Sequence, residues 1–308
     1  MLWIFLAVSV AAAASISAFI DNYITDVHFK GRLPQAQKIL GLPAYLLICL
    51  IIAAIFPIQA LPLHFVLIFI GTGIMSALGS IAYYKALSTE DTTGTTIFIQ
   101  LAPVLYLIAG WTLLGDHISL IQILAFALLV AAPLIVIFFS QKRAQKLRRR
   151  GAFLIILYLL FVVTANIIFV SATGGEGKDH SIDFYTAFFY AMMGKLMTDT
   201  ALTLIFRSWR KRFKWVVKNS GFKFLGPMII NELLYVSMDL IYRLALTIGP
   251  IALVSATANS LQLIITFFLG IVLTLIWPIF GRERLRARTI IAHLIATAFA
   301  VTGIILLG

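Results

Sequence analysis

The sequence predicts an all-α integral membrane fold of ten transmembrane helices, arranged as two inverted five-helix repeats. Three observations predict it. Hydrophobic residues make up 61% of the 308 positions and charged residues only 12%, with a mean hydropathy of +1.02. Soluble domains average about 45–50% apolar and about 25% charged residues, so this chain has too little polar surface to coat a globule in water. The apolar residues also fall in continuous runs of about 20 residues, the length that crosses the hydrocarbon as a helix. Finally, short motifs recur between the two halves at a fixed offset. Continuous runs, rather than alternating ones, exclude a barrel of the outer-membrane type.

The runs are 2–20, 39–57, 63–87, 95–114, 118–139, 152–172, 183–206, 224–247, 250–277 and 288–307, each bounded by charge, Pro or Gly. The first could be mistaken for a signal peptide because of Ala11, Ala12, Ala13 and Ala14. A signal peptide needs a basic n-region, and the first basic residue is Lys30, so a retained span is expected. The third and fourth runs are parted only by the polar hairpin STEDTTG at 88–94. The ninth is long and ends at Pro278, which predicts tilt or a kink there. The single cysteine, Cys49, lies inside the second run, so neither a disulfide framework nor a thiolate metal site is available. No metal or cofactor is expected.

The formal charge of +12, from 24 Lys and Arg against 12 Asp and Glu, would suggest nucleic acid in a soluble protein; here it sets topology. Apart from Lys178 and the in-span Lys195 and Arg243, every Lys and Arg falls in or at the edge of an odd-numbered connection. The positive-inside rule places those connections in the cytoplasm, and both termini of a ten-span chain then face outward. Two basic blocks stand out. FRSWRKRFKWVV at 206–217 mixes cations with aromatics, as a nucleic-acid site can, but is expected to be a cytoplasmic loop with Trp and Phe at headgroup depth. QKRAQKLRRR at 141–150 divides the chain into a first repeat at 1–140 and a second at 151–308.

The repeat is visible in IAYYKAL at 81–87 and LIYRLAL at 240–246, which pair Tyr83 with Tyr242 and Ala86-Leu87 with Ala245-Leu246 at an offset of 159. The same offset brings Gln100 onto Asn259. Because each unit has an odd number of spans, the second must enter the membrane inverted. Inverted repeats of this kind are a signature of secondary transporters, whose halves rock about a central site.

The stretch 82–119 (AYYKALSTEDTTGTTIFIQLAPVLYLIAGWTLLGDHIS) resembles the helix three to five core of the EamA-like branch of the drug/metabolite transporter superfamily. Ala86-Leu87, Pro103 and Gly115-Asp116 fill the places of that family's Ala-Leu helix end, mid-helix Pro and Leu-Gly-Glu motif, with Asp in place of Glu. In the second half Ala245-Leu246 and GRER at 281–284 match again, while Gln262 stands where the helix Pro would be. The resemblance implies a 5+5 carrier of metabolites, amino acids or drugs. Outward termini differ from the arrangement expected of most such carriers.

Ionisable residues inside a membrane are costly and point to function by default. In the seventh span Lys195 and Asp199 share one face. In the eighth, Glu232, Tyr235, Asp239, Tyr242 and Arg243 form one helical stripe flanked by Asn231. Asn166 lies in the sixth span, Asn259 and Gln262 in the ninth and His293 in the tenth, while Gln100, Tyr83 and Tyr84 are the first-half candidates. Asp21 and Asn22 are expected at the interface, and Trp111 as an interfacial anchor. One reading makes Lys195–Asp199 and Asp239–Arg243 two separate structural pairs, with Arg243 snorkelling to the outer interface. The other turns the stripe toward a central cavity, where Glu232 or Asp239 binds a cation or proton and Lys195 an anionic group, together suiting an amino-acid-like solute. The matching positions of the third span, Gly73, Ser76 and Ser80, lie in a small-residue stretch that predicts close helix packing.

The partners expected are the lipid bilayer, a small-molecule solute and, as a candidate coupling ion, protons; nucleic acid is not among them. The rival classes are an intramembrane enzyme acting on a lipid-linked substrate and a non-transporting assembly subunit. SATGGEGKDH at 171–180 lacks the spacing of a phosphate loop and follows a span rather than a strand. No HExxH or GxSxG occurs, and the five histidines are scattered. An enzyme is therefore not expected, and a scaffold has no need of a charged stripe.

Overall fold

A computed structural model of the chain describes residues 2–23, 34–87, 99, 101–115, 118–140, 149–174, 182–220, 225–276 and 287–307. The regular elements among them are helical: α1 (Leu2–Tyr23), α2 (Pro34–Ile55), α3 (Leu63–Leu87), α4 (Ala102–Ala109), α5 (Leu120–Ser140), α6 (Arg149–Thr173), α7 (Phe184–Ile205), α8 (Arg207–Ser220), α9 (Leu225–Ile248), α10 (Ile251–Ile276) and α11 (Ala287–Leu307). Helix α4 runs on into a π-helical turn, Gly110–Leu114. Five stretches, Leu2–Asp21, Leu63–Tyr83, Gly151–Thr173, Ile251–Ile276 and Ile290–Leu307, are long and apolar enough to cross a bilayer. Many large apolar side chains, including Leu2, Leu63, Leu120 and Ile305, lie on the outer surface, as in a multi-pass α-helical membrane protein whose outer face meets lipid. Helices α7 and α9 have 22 and 24 residues, enough at about 1.5 Å per residue to span the hydrocarbon. Their ionisable residues hold their hydropathy below that of the five.

Local chemistry sets several boundaries. Gly115, with φ of +73°, ends the α4 segment in the left-handed region and returns its N–H to the Gly110 carbonyl, a stop that suits a residue without Cβ. Pro103 lies in the first turn of α4, where its missing N–H leaves no helical bond unmade. The Asp183 side chain caps α7 by accepting from the Thr186 N–H at 2.8 Å. The basic segment read as a loop is instead a separate helix, α8, split from α7 at Phe206 by an extended backbone. The Arg210 guanidinium donates to the Thr203 and Leu204 carbonyls at the end of α7. Trp209 is buried and stacks on Phe206, while Arg207, Lys211, Lys214 and Lys218 are exposed at helical spacing. A segment this charged remains helical because one face buries aromatics while the other keeps its cations solvated.

The packing relies on small residues. Where α3 crosses α7, a Cβ at Gly73 would meet the Ala191 carbonyl and one at Gly194 the Ile70 carbonyl, so the two backbones touch. Gly79 similarly seats α3 against Phe161 and Val162 of α6. On the other side α5 and α11 meet through Ala125, Leu129, Ala296, Ala300 and Gly303. Helix α1 packs between α9 and α10, burying Ala7, Ala11 and Ala14, and its Ser15 hydroxyl donates to the Gln262 carbonyl at 3.0 Å. The first span is thus built into the centre of the bundle. Helix α9 lies against α1, α2, α6 and α10, and α3 and α7 close on each other beside it.

Candidate functional site

The α9 stripe faces inward. Glu232 and Arg243 are buried, at 5% and 1% exposed, as are Lys195 and Asp199 of α7 at 2% and 0%. Lys195 does more than share a helix face with Asp199: its Nζ stands 3.8 Å from Oδ2 of Asp239 on α9. The other oxygen of that carboxylate accepts from Nε of Arg243 at 3.3 Å. The two pairs that sequence spacing separates are therefore linked across helices into one ionic chain, Lys195–Asp239–Arg243. The Asp239 side chain is 19% exposed between two cations that are almost fully buried, so its carboxylate is the opening in the chain.

Arg243 does not snorkel. Its Nη2 donates to Oγ of Ser76 at 2.9 Å, and its guanidinium carbon lies 4.8 Å from the centre of the Phe169 ring. A planar cation with several donors can satisfy a carboxylate, a hydroxyl and an aromatic face together. One nitrogen, Nη1, is buried and has no hydrogen-bond partner among the described residues. Lys195 lies over two rings, 5.1 Å from the centre of Tyr45 and 4.9 Å from that of Tyr235. Tyr45 is within electrostatic reach of Glu232, Asp199 and Asp239. A Cβ at Gly41 would come within 3.1 Å of Oε2 of Glu232 and of the Tyr45 ring, so Gly41 makes room for both.

A second polar string runs alongside. Asn166 of α6 donates to the Tyr106 hydroxyl of α4 at 2.7 Å. Tyr106 is hydrogen-bonded to Tyr242 of α9, which also bonds Ser255 of α10. Nδ2 of Asn259 donates to the Ser255 hydroxyl at 3.4 Å. Four helices thus meet through a line of hydroxyls and amides. Tyr83 joins from α3 through its ring, 5.1 Å from Tyr158 of α6.

Other expectations are corrected. Asp21 is not a simple interfacial residue: its carboxylate accepts from Asn231 of α9 at 2.8 Å, and Asn231 accepts from Ser17 at the same distance. His293 is buried and stacks on Phe267 at 3.6 Å, away from the ionic chain. Gln262 meets α1 through its backbone carbonyl. Trp111 is 74% exposed, as expected of an outward anchor. Gln100, the hairpin at 88–94, GRER at 281–284 and most of the 141–150 linker lie outside the described residues. Tyr45, Ser76, Tyr106, Tyr158 and Phe169 were not identifiable from sequence as site residues. Tyr106 sits three positions after Pro103 in an apolar run, and only its buried neighbours distinguish it from a lipid-facing tyrosine. Among the described residues no group of three or more His, Cys, Asp or Glu is placed to hold a metal ion.

No protein-family model matches the chain, and no curated protein matches its sequence. Solved structures do share its fold. One, described as "Crystal structure of protein", superposes with a TM-score of 0.64 over 99% of this chain and 95% of its own, at 11% identity. At that identity the likeness concerns the fold alone.

Proposed function

We propose that this protein is a secondary active transporter of the EamA-like type, an exporter that moves a small amino-acid-like metabolite or drug by alternating access with protons as the coupling ion. The observation that carries this reading is the ionic chain Lys195–Asp239–Arg243, buried where helices of both chain halves meet and open only at its carboxylate. A purely structural pair has no need of an accessible acid between two sequestered cations, whereas a carrier needs groups that can trade partners. Asp239 can exchange its contact with Lys195 for a ligand cation or a proton, and Lys195 can then meet an anionic group of the solute.

In this reading α1 to α5 form one unit and α6, α7, α9, α10 and α11 the other, with α8 on the cytoplasmic surface and both termini outside. The packing supports an exchange of the two units. The α3–α6 contact has its counterpart in α9–α1, α3–α7 in α9–α2 and α1–α10 in α6–α4, while α5–α11, α2–α7 and α4–α10 are their own counterparts. Two rocking units joined by polar groups can open a central site to each side in turn.

Flux in proteoliposomes tests the proposal. A carrier moves a solute unaltered, an enzyme alters it, and an assembly subunit does neither. Candidate solutes come from a stabilisation screen over amino acids, sugars, phosphates and organic cations. With a solute in hand, Glu232→Gln and Asp239→Asn should each abolish transport driven by a pH gradient; full flux in both would remove proton coupling through α9.

A further inference from the structure

We propose that the Tyr45–Tyr235–Asp239 cradle is a binding site for an organic ammonium group, and that Lys195 is its tethered internal occupant, displaced when such a ligand enters. The inference deepens the transport reading by naming the part of the solute that is recognised.

The cradle has the composition of an ammonium receptor. Two aromatic faces lie about 5 Å from one cationic nitrogen, at 5.1 and 4.9 Å, inside the range of about 6 Å over which a ring quadrupole attracts a cation. A carboxylate oxygen stands 3.8 Å from the same nitrogen. The acids Asp199 and Glu232 lie in the same neighbourhood, within electrostatic reach of Tyr45. This set, two rings and a carboxylate, distinguishes a cation from a neutral or anionic group; an anion would meet the face of two rings and the field of three acids.

Lys195 is suited to be displaced. Its ammonium is on a flexible four-carbon stem, and its contact with Asp239 at 3.8 Å is longer than a direct charged hydrogen bond of about 2.7–2.9 Å. Arg243, by contrast, is held on three sides by Asp239, Ser76 and Phe169 and stays. The accessible edge of Asp239 gives the ligand its approach. A ligand ammonium entering there takes the place of Lys195 between the rings, and the freed lysine turns toward any carboxylate the ligand carries. No covalent bond is made or broken.

The experiment measures binding to the purified full chain in detergent, with tetramethylammonium and butylammonium as probes and butyrate as the anionic control. When an internal group occupies a site for most of the time, apparent affinity falls by the fraction of time the site is free. Lys195→Met should therefore tighten ammonium binding about tenfold or more, Lys195→Arg should not, and Tyr45→Leu added to Lys195→Met should erase the gain. In the unaltered protein, saturating tetramethylammonium should raise labelling of Lys195 by an amine-reactive reagent, read by mass spectrometry; this arm stands even if the methionine variant fails to fold. Unchanged Lys195 labelling at saturating probe, no gain in a folded Lys195→Met protein, or butyrate binding that depends on Lys195 without ammonium binding would each overturn the proposal. Because binding is read without flux, the cradle can fail while transport stands, and transport can fail while the cradle stands.

Discussion

Helices α3 and α9 end on the same Ala-Leu signature, yet their inner faces are built from opposite materials. At the positions where α9 has Glu232, Tyr235 and Asp239, α3 has Gly73, Ser76 and Ser80. The small face does structural work that the charged face depends on. Gly73 lets the backbone of α7 come into contact, which sets Lys195 at the depth of Asp239, and Ser76 supplies the hydroxyl that holds Arg243. One helix supplies space and position, the other charge. Neither would form the site alone, because a bulkier α3 would push Lys195 out of reach and an apolar α9 would leave that lysine buried without a carboxylate.

Three substitutions probe this division of labour, in order of expected effect. Asp239→Ala leaves Lys195 and Arg243 buried without their shared carboxylate; removing one member of a buried ion pair costs about 3–5 kcal/mol, so thermal unfolding in detergent should drop sharply. Gly73→Leu drives a side chain into the backbone of α7 and should cost about 3 kcal/mol, whereas Gly71→Ala, with nothing within 4 Å of the added Cβ, should leave the melting point nearly unchanged. If Gly71 and Gly73 behave alike, the close crossing of α3 and α7 is not what seats Lys195. Ser76→Ala removes one hydrogen bond to a charged group, worth about 1.5–3 kcal/mol, and should be the mildest of the three. A loss for Ser76→Ala larger than that for Asp239→Ala would reverse the roles assigned to the two helices.

The sequence revealed the membrane class and most helix bounds because these depend on local composition: an apolar run of 20 residues is as informative alone as it is in the fold. It also singled out Lys195, Glu232, Asp239 and Arg243, since charge inside such a run is conspicuous. What it did not reveal is partner choice. Spacing of four residues pairs Lys195 with Asp199 and Arg243 with Asp239 on their own helices, and only the crossing of α7 beside α9 joins them. Tyr45, Tyr106 and Phe169 were hidden for another reason: an aromatic in an apolar run has the same composition whether it faces lipid or a cation. The helical state of α8 was missed because its charge density suggested a solvated loop, while its stability comes from Trp209 and the Arg210 cap. The position of Asp21 near a span end suggested the interface, whereas its bond to Asn231 ties α1 to α9.

The central claim is a polar hollow at the junction of α3, α7 and α9 that opens to each side of the membrane in turn. Its most direct test is thiol labelling of Ser76→Cys in a Cys49→Ala background, using a membrane-impermeant reagent added to either face of sealed vesicles. The account predicts labelling from both faces, with a transported ligand suppressing both. A cysteine that reacts only with a lipid-soluble reagent, and from neither aqueous face, would contradict it.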